Sequence, residues 1–258
     1  MNGVSLTSGD LQDPTRTRNL YRPGAPEPYK LSRSKLEGFL RCPRCFYLDR
    51  RLGIGQPQGP TPSLNVAVDA LMKREFDAYR ARGEAHELML RYGVEAVPLR
   101  HPDLEEWRDN ARGVQHLHAS TNLLVHGSID DAWITPEGKL HVVDYKATSF
   151  AGTVSMDGPW REAYKRQIEI YQWLLRQRGY DVSDIGYFVF VNADKQKAAF
   201  DGKLEFVTVI LPYVGDASWV DEALQEAHTC LCRQTPPQPN PACEWCGYRK
   251  SASSVEQW

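Results

Sequence analysis

Residues 123–148 read LLVHGSIDDAWITPEGKLHVVDYKAT, and the rest of the chain is organised around them. Two apolar-rich runs, 123–134 and 140–147, flank Thr135-Pro136-Glu137-Gly138-Lys139. Proline suits the first corner of a turn and glycine supplies the left-handed position of a short loop, so the stretch predicts a β-hairpin. Pairing centred on Glu137 sets Thr135 against Lys139 and Asp130 against Asp144. Directly opposed residues stand ~5 Å apart on one face of a sheet. Lys146, two residues beyond Asp144, shares that face. The expectation is therefore a patch of two carboxylates and one ammonium.

The chain has 258 residues, 41% of them hydrophobic, enough for one large α/β domain or two small ones. A formal net charge of −2 excludes a chain-wide basic clamp, so any nucleic-acid surface must be local. No apolar run is long enough to span a membrane. The opening MNGVSLTSGDLQDPTRTRNL lacks an apolar signal core, so the expected location is the cytoplasm. In that compartment cysteines serve as metal ligands or free thiols more often than as disulfides.

Residues 1–30 are polar and proline-containing and read as a flexible arm, with a single domain over 31–258. Ser34-Lys-Leu-Glu37 has the form of a capping box opening a helix. Pro43 suits the first position of a second helix capped by Cys42. Ser63 to about Arg82 and Arg161 to Arg178 carry apolar residues at helical spacing. Strands are expected over 113–120, 185–192 and 204–213, and a helix over 218–230. The fold class is α/β, a mixed central sheet flanked by helices.

Two carboxylates held close repel each other, and a hard divalent cation such as Mg²⁺ relieves that repulsion. Such an ion polarises a phosphoryl oxygen and acidifies a water, while Lys146 is suited to neutralise phosphate charge. The same alternation of charges also marks the solvent face of an ordinary strand.

Gly127-Ser-Ile-Asp130, Val143-Asp144-Tyr145-Lys146 and Gln167-Ile-Glu-Ile-Tyr171 resemble, in that order, the G-x-x-D, D/E-x-K and Q-x-x-x-Y motifs of the RecB-like branch of the PD-(D/E)XK nuclease superfamily. That branch is related to CRISPR-associated and AddB-type nucleases with a cysteine metal site. The resemblance implies a restriction-endonuclease-like core, an Mg²⁺ or Mn²⁺ site and hydrolysis of DNA phosphodiesters. It makes Asp130 and Asp144 metal ligands, adds the Tyr145 carbonyl, and makes Lys146 the catalytic lysine. Gln167 and Tyr171 would stand beside the site on one helix face, although Tyr171 also suits an ordinary core position. The upstream histidine ligand usual in the branch is missing. The matching helix carries Asp69 instead, beside its apolar face, where a carboxylate needs a partner.

Cys42-Pro-Arg-Cys45 and Cys243-Glu-Trp-Cys246 form two C-x-x-C pairs near opposite ends of the chain. Their spacing suits Zn²⁺, the resemblance suits a four-iron–four-sulfur cluster, and four reduced thiols are the third reading. Basic residues cluster at Lys30, Arg33, Lys35, Arg41, Arg44, Arg50 and Arg51 and again at Arg161, Lys165, Arg166, Arg176 and Arg178. Phe46, Tyr47, Trp160 and Tyr164 lie among them, as for phosphate contacts with base stacking. A solvated charged face would look the same. The expected function is a metal-dependent DNA nuclease of repair, recombination or defence. Its substrate would be single-stranded or end-containing duplex DNA, met alone or with protein partners. The alternative is a catalytically silent subunit that keeps the fold.

Overall fold

The computed structural model describes residues 15–57, 59 and 63–255. The first half of the expected N-terminal arm, residues 1–14, lies outside that range. Residues 15–30 are tied to the body: the Arg16 N–H donates to the Gly53 carbonyl at 2.9 Å, and Tyr21 is buried in the core.

Tyr29–Ser32 forms β1, Arg33–Arg41 α1, Pro43–Leu52 α2 and Ser63–Arg82 α3. Short elements follow: α4 (Glu87–Arg91), β2 (Val97–Pro98) and α5 (Leu104–Arg108). Then come β3 (Val114–His118), β4 (Leu123–Gly127), β5 (Asp131–Ile134), β6 (Leu140–Thr148) and α6 (Glu162–Gln177). β7 (Ile185–Ala193), β8 (Phe206–Val214), α7 (Val220–Cys232) and α8 (Glu244–Val255) complete the described chain. Among the described residues no helix is long and apolar enough to cross a membrane.

The expected hairpin is present in the expected register. Ile134 faces Leu140, Trp133 faces His141, Ala132 faces Val142 and Asp131 faces Val143. The Thr135 N–H donates to the Lys139 carbonyl at 2.9 Å, and Gly138 takes φ +88°, the conformation its lack of a Cβ permits. The first arm, however, is two strands rather than one. β4 belongs to a three-stranded sheet in the order β1-β4-β3, while β5 and β6 lie in a five-stranded sheet in the order β2-β5-β6-β7-β8. The chain changes sheets across Ser128-Ile129-Asp130, with the Ile129 N–H bonded to the Trp107 carbonyl at 3.1 Å.

β6 and β7 pair in parallel at the centre of the larger sheet, which is why Leu140–Tyr145 is buried on both faces. Alternate residues serve two cores. Val142, Phe188 and Phe190 pack with Ile168 of α6. Val143, Tyr145, Val189 and Val191 pack with Met72 and Phe76 of α3. Two helices thus cover opposite faces of one sheet, a mixed α/β architecture.

The capping box does not form. Helix α1 starts at Arg33 with no side-chain cap, and Glu37 is buried against Arg166 of α6 at 2.7 Å. A carboxylate offered a bidentate guanidinium has a stronger partner than a backbone N–H.

Candidate active site

Asp130 lies one residue before β5, where continued register puts it opposite Asp144. Asp144 is fully buried. Gln167 Nε2 donates to its Oδ1 at 2.8 Å. Its Oδ2 lies against Lys146 Nζ as an ion pair, with no hydrogen bond directed at it. Asp130 Oδ2 accepts the Tyr145 N–H at 2.8 Å, and its Oδ1 faces Lys73 Nζ at 3.5 Å. Each acid therefore has one oxygen pinned by an N–H donor and one turned toward a cation.

Burial pushes the Asp144 carboxyl up to about 7 against the pull of Lys146, and Asp130 adds to the rise. Burial also works against the Lys146 charge, but Asp144 and Asp130 outweigh it and hold the ammonium above its usual range. Lys146 further rests over the Tyr164 ring, 4.9 Å from its centre.

Gln167 and Tyr171 share the face of α6 turned to this patch. Gln167 Nε2 donates to the Tyr171 hydroxyl at 3.2 Å as well as to Asp144. Tyr171 accounts for the glycine at 127, since a Cβ there would stand 2.6 Å from the Tyr171 ring. The three short motifs thus meet physically: the glycine admits the tyrosine, the tyrosine supports the glutamine, and the glutamine orients the acid.

Asp69 is paired with Lys73, one helical turn on, at 2.8 Å. Burial opposes the Lys73 charge, yet Asp130 and Asp69 hold it above its usual range. Sequence reasoning missed Lys73, although an i,i+4 partner for Asp69 was there to be found. In the sequence Arg33 reads only as part of a basic cluster. It lies near enough to Asp144 to bear on that acid's charge, and its Nε is buried without a partner.

Tyr145 turns its side chain to the opposite face, where its hydroxyl donates to Asp131 Oδ2 at 2.7 Å. Any ligand role would fall to its carbonyl. Asp131 itself is fully buried between Arg80 and Arg108, and Arg108 also binds Asp77 at 2.9 Å. The adjacent acids 130 and 131 thus serve different sides of the sheet.

The one-sided oxygens of Asp130 and Asp144 suit a hard divalent cation. The buried Asp144 Oδ2, lacking a directed donor, is the feature such an ion would satisfy. The acids do not close into a compact multidentate set. Among the described residues, the cysteines alone place three or more such ligand atoms within 4.8 Å of one another.

That group is Cys42, Cys45, Cys243 and Cys246, with Sγ separations of 3.7 Å for 42–246, 45–243 and 45–246. Cys42 precedes α2, with Pro43 in the first turn as expected. Cys243 precedes α8 and Cys246 lies in its first turn. Four thiols so placed can hold a metal ion.

The basic clusters are less free than they looked. Asp49 takes Lys35 and Arg50, Glu162 takes Lys165, and Asp184 takes Arg176. Phe46 and Tyr47 are core residues, unavailable for stacking on bases. Trp160 is exposed.

No curated protein matches the chain significantly. The solved structure of SSO0001 aligns over 88% of this chain and 85% of that one, at 14% identity and a TM-score of 0.31. That overlap adds nothing to the fold argument. The sequence model of the PD-(D/E)XK nuclease superfamily matches residues 30–251, a span that runs from within β1 and takes in β2 to β8, the acid–lysine patch and all four clustered cysteines. By that match the chain belongs to the PD-(D/E)XK nuclease superfamily.

Proposed function

We propose that the chain is a metal-dependent deoxyribonuclease of the RecB-like branch, hydrolysing phosphodiester bonds to leave a 5′-phosphate. The observation that carries this reading is the meeting of Asp130, Asp144 and Lys146 around a buried carboxylate with one oxygen undirected. The joint use of Gly127, Gln167 and Tyr171 supports the branch. The setting would be DNA repair, recombination or defence in the cytoplasm.

Mg²⁺ or Mn²⁺ would be held by Asp130 and Asp144, with the Tyr145 carbonyl and, once Lys73 releases it, Asp69. When bound, the ion supplies Lewis-acid polarisation of the phosphoryl oxygen and acidification of a water. Gln167 and the Tyr145 N–H hold the two acids so that their second oxygens face the site. Lys146 stays charged between two carboxylates, so it donates hydrogen bonds rather than accepting a proton, and it stabilises negative charge developing on the phosphate. Arg33 adds positive charge near Asp144.

The test is cleavage of end-labelled single- and double-stranded DNA with Mg²⁺ or Mn²⁺ by the wild type, Asp144→Ala and Lys146→Ala. Metal-dependent cutting by the wild type alone supports the reading, and equal cutting by all three overturns it. One observation favours a second reading: the Lys73 ammonium already sits between Asp69 and Asp130. A silent DNA-docking subunit would show DNA binding without metal-dependent cutting.

A further inference from the structure

We infer that Cys42, Cys45, Cys243 and Cys246 form a closed site for a single tetrahedral ion, zinc, and not the seat of a four-iron–four-sulfur cluster. The reason is the size of the thiol group. In a Zn(Cys)₄ site each sulfur lies ~2.3 Å from the ion, which makes the edge of the sulfur tetrahedron about 3.8 Å. Three edges of the thiol group, 42–246, 45–243 and 45–246, are each 3.7 Å. In a four-iron cluster each thiolate binds a different iron at a corner of the cube, so the sulfurs are held roughly 6 Å apart. A group whose sulfurs all lie within 4.8 Å of one another has no room for that cube.

The surroundings agree. All six cysteines are free thiols. Cys42, Cys45 and Cys246 are buried, with the half-buried Cys243 and Trp245 packed against them, and four thiolates fill a tetrahedral shell, as suits a structural site. Cys230 and Cys232 stay out of it: Cys230 Sγ lies 3.6 Å from the Pro43 carbonyl, and Cys232 lies against Tyr21 and His228. The ion would join α2 to α8 across 204 residues of sequence, holding the last helix against the first pair.

Metal analysis and an absorption spectrum of protein purified without oxygen, from cells supplied with both iron and zinc, test this. The expected result is about one zinc per chain, no iron and no visible absorption. Replacement by Co²⁺ should give the ligand-field bands of a tetrahedral thiolate site. Cys246→His should keep zinc, whereas Cys42→Ser/Cys243→Ser should lose it. A brown protein containing iron, or a wild-type protein with neither metal, overturns the assignment.

A different observation carries a second inference, which rests on the nuclease reading. Arg161 is 2% exposed, has no carboxylate partner among the described residues, and leaves its Nε unbonded. Its guanidinium lies between aromatic rings, 3.8 Å from the centre of Trp160 and 4.4 Å from that of Phe190. Phe190 is the cross-strand neighbour of Lys146. The stack therefore runs from beside the lysine to Trp160, a residue 56% exposed. Phe150, 45% exposed and 6.3 Å from Trp160, is fastened by two hydrogen bonds between its backbone and the Asn192 side chain. Two exposed rings held in place beside the cutting residues can take the faces of unpaired bases at little entropic cost. A duplex offers such faces only at its end.

We propose that Trp160 and Phe150 form a stacking platform that selects single-stranded or frayed DNA. The probes are a labelled oligothymidylate and a relaxed, covalently closed circular duplex, bound to Asp144→Asn protein so that nothing is cut. Trp160→Ala should weaken oligothymidylate binding by roughly tenfold or more, with Trp160→Phe retaining most of it. The duplex should change less than about twofold. Equal losses on both probes, or no loss on the single strand, overturn the platform. If the wild type cuts DNA while Trp160→Ala changes nothing, the platform alone fails. If the protein neither binds nor cuts DNA, the nuclease reading fails and the platform with it.

Discussion

Two buried aspartates stand on opposite faces of the same pair of strands, and their surroundings differ in one respect. Asp131 faces α3 and is fully compensated: Arg80, Arg108, the Tyr145 hydroxyl and the Ala132 N–H all reach it. Asp144 faces α6 and is compensated in part, with one hydrogen bond to Oδ1 and an undirected ion pair at Oδ2. A fully paired acid holds a structure together. An underpaired one stores unused ligand capacity, and such groups concentrate at functional sites. Burial alone does not separate the two, since both are fully buried. The count and direction of their donors does.

The contrast is broken most severely at Asp131. Asp131→Asn leaves two arginines facing a neutral group, and should destabilise the protein by about 3–5 kcal/mol in denaturant titrations. On the other face, Lys146→Met should lower the cleavage rate by ~10²–10³-fold, with a smaller loss of stability than at Asp131, because the Asp144 carboxyl, already raised to about 7, takes up a proton once the ammonium is gone. If Lys146→Met unfolds the protein and Asp131→Asn does not, the roles assigned to the two faces are reversed. Mg²⁺ should raise the melting temperature of the wild type and leave that of Asp144→Asn unchanged, because an ion that binds only the native state stabilises it.

Gly127→Ala would sharpen the comparison at a distance. The added methyl meets the Tyr171 ring, so that ring and Gln167 must shift, at a cost of ~1–3 kcal/mol and with partial loss of cutting through Asp144. The smallest effect concerns the three-stranded sheet, which packs in the same core as α6. Burial first, and Lys30 second, lower His126 to about 4. Between its ordinary value of 6.5 and about 4 the unfolded chain binds a proton that the folded chain refuses. Stability is therefore intact above pH 6.5 and is lost as the pH falls toward 4. His126→Gln should flatten this part of the pH–stability curve.

How much of the site could be read beforehand varied with the range of the interaction. The register of 134 against 140 followed from a turn whose own residues dictate it. Gln167 and Tyr171 could be placed on one helix face because helical periodicity is local. The split of the first arm between two sheets involves β1, whose first two residues read as the end of a polar arm until the strand pairs with β4. Ser34-Lys-Leu-Glu37 has the form of a cap, but the choice between cap and salt bridge was made by Arg166, more than a hundred residues away. Phe46 and Tyr47 look the same in sequence as Trp160. Only packing separates core from surface.

What the sequence by itself determined is the α/β pattern, the hairpin and the order in which acids, lysine, glutamine and tyrosine occur, because turn chemistry and periodicity act over a few residues. The tertiary structure alone decided which oxygen of each acid is pinned, that Lys73 takes up Asp69, that Asp131 belongs to arginines, and that four sulfurs from distant segments stand 3.7 Å apart along three edges. Those outcomes depend on which distant groups compete for each charge and each vacancy in the core. That competition is resolved only when helices and sheets are packed together.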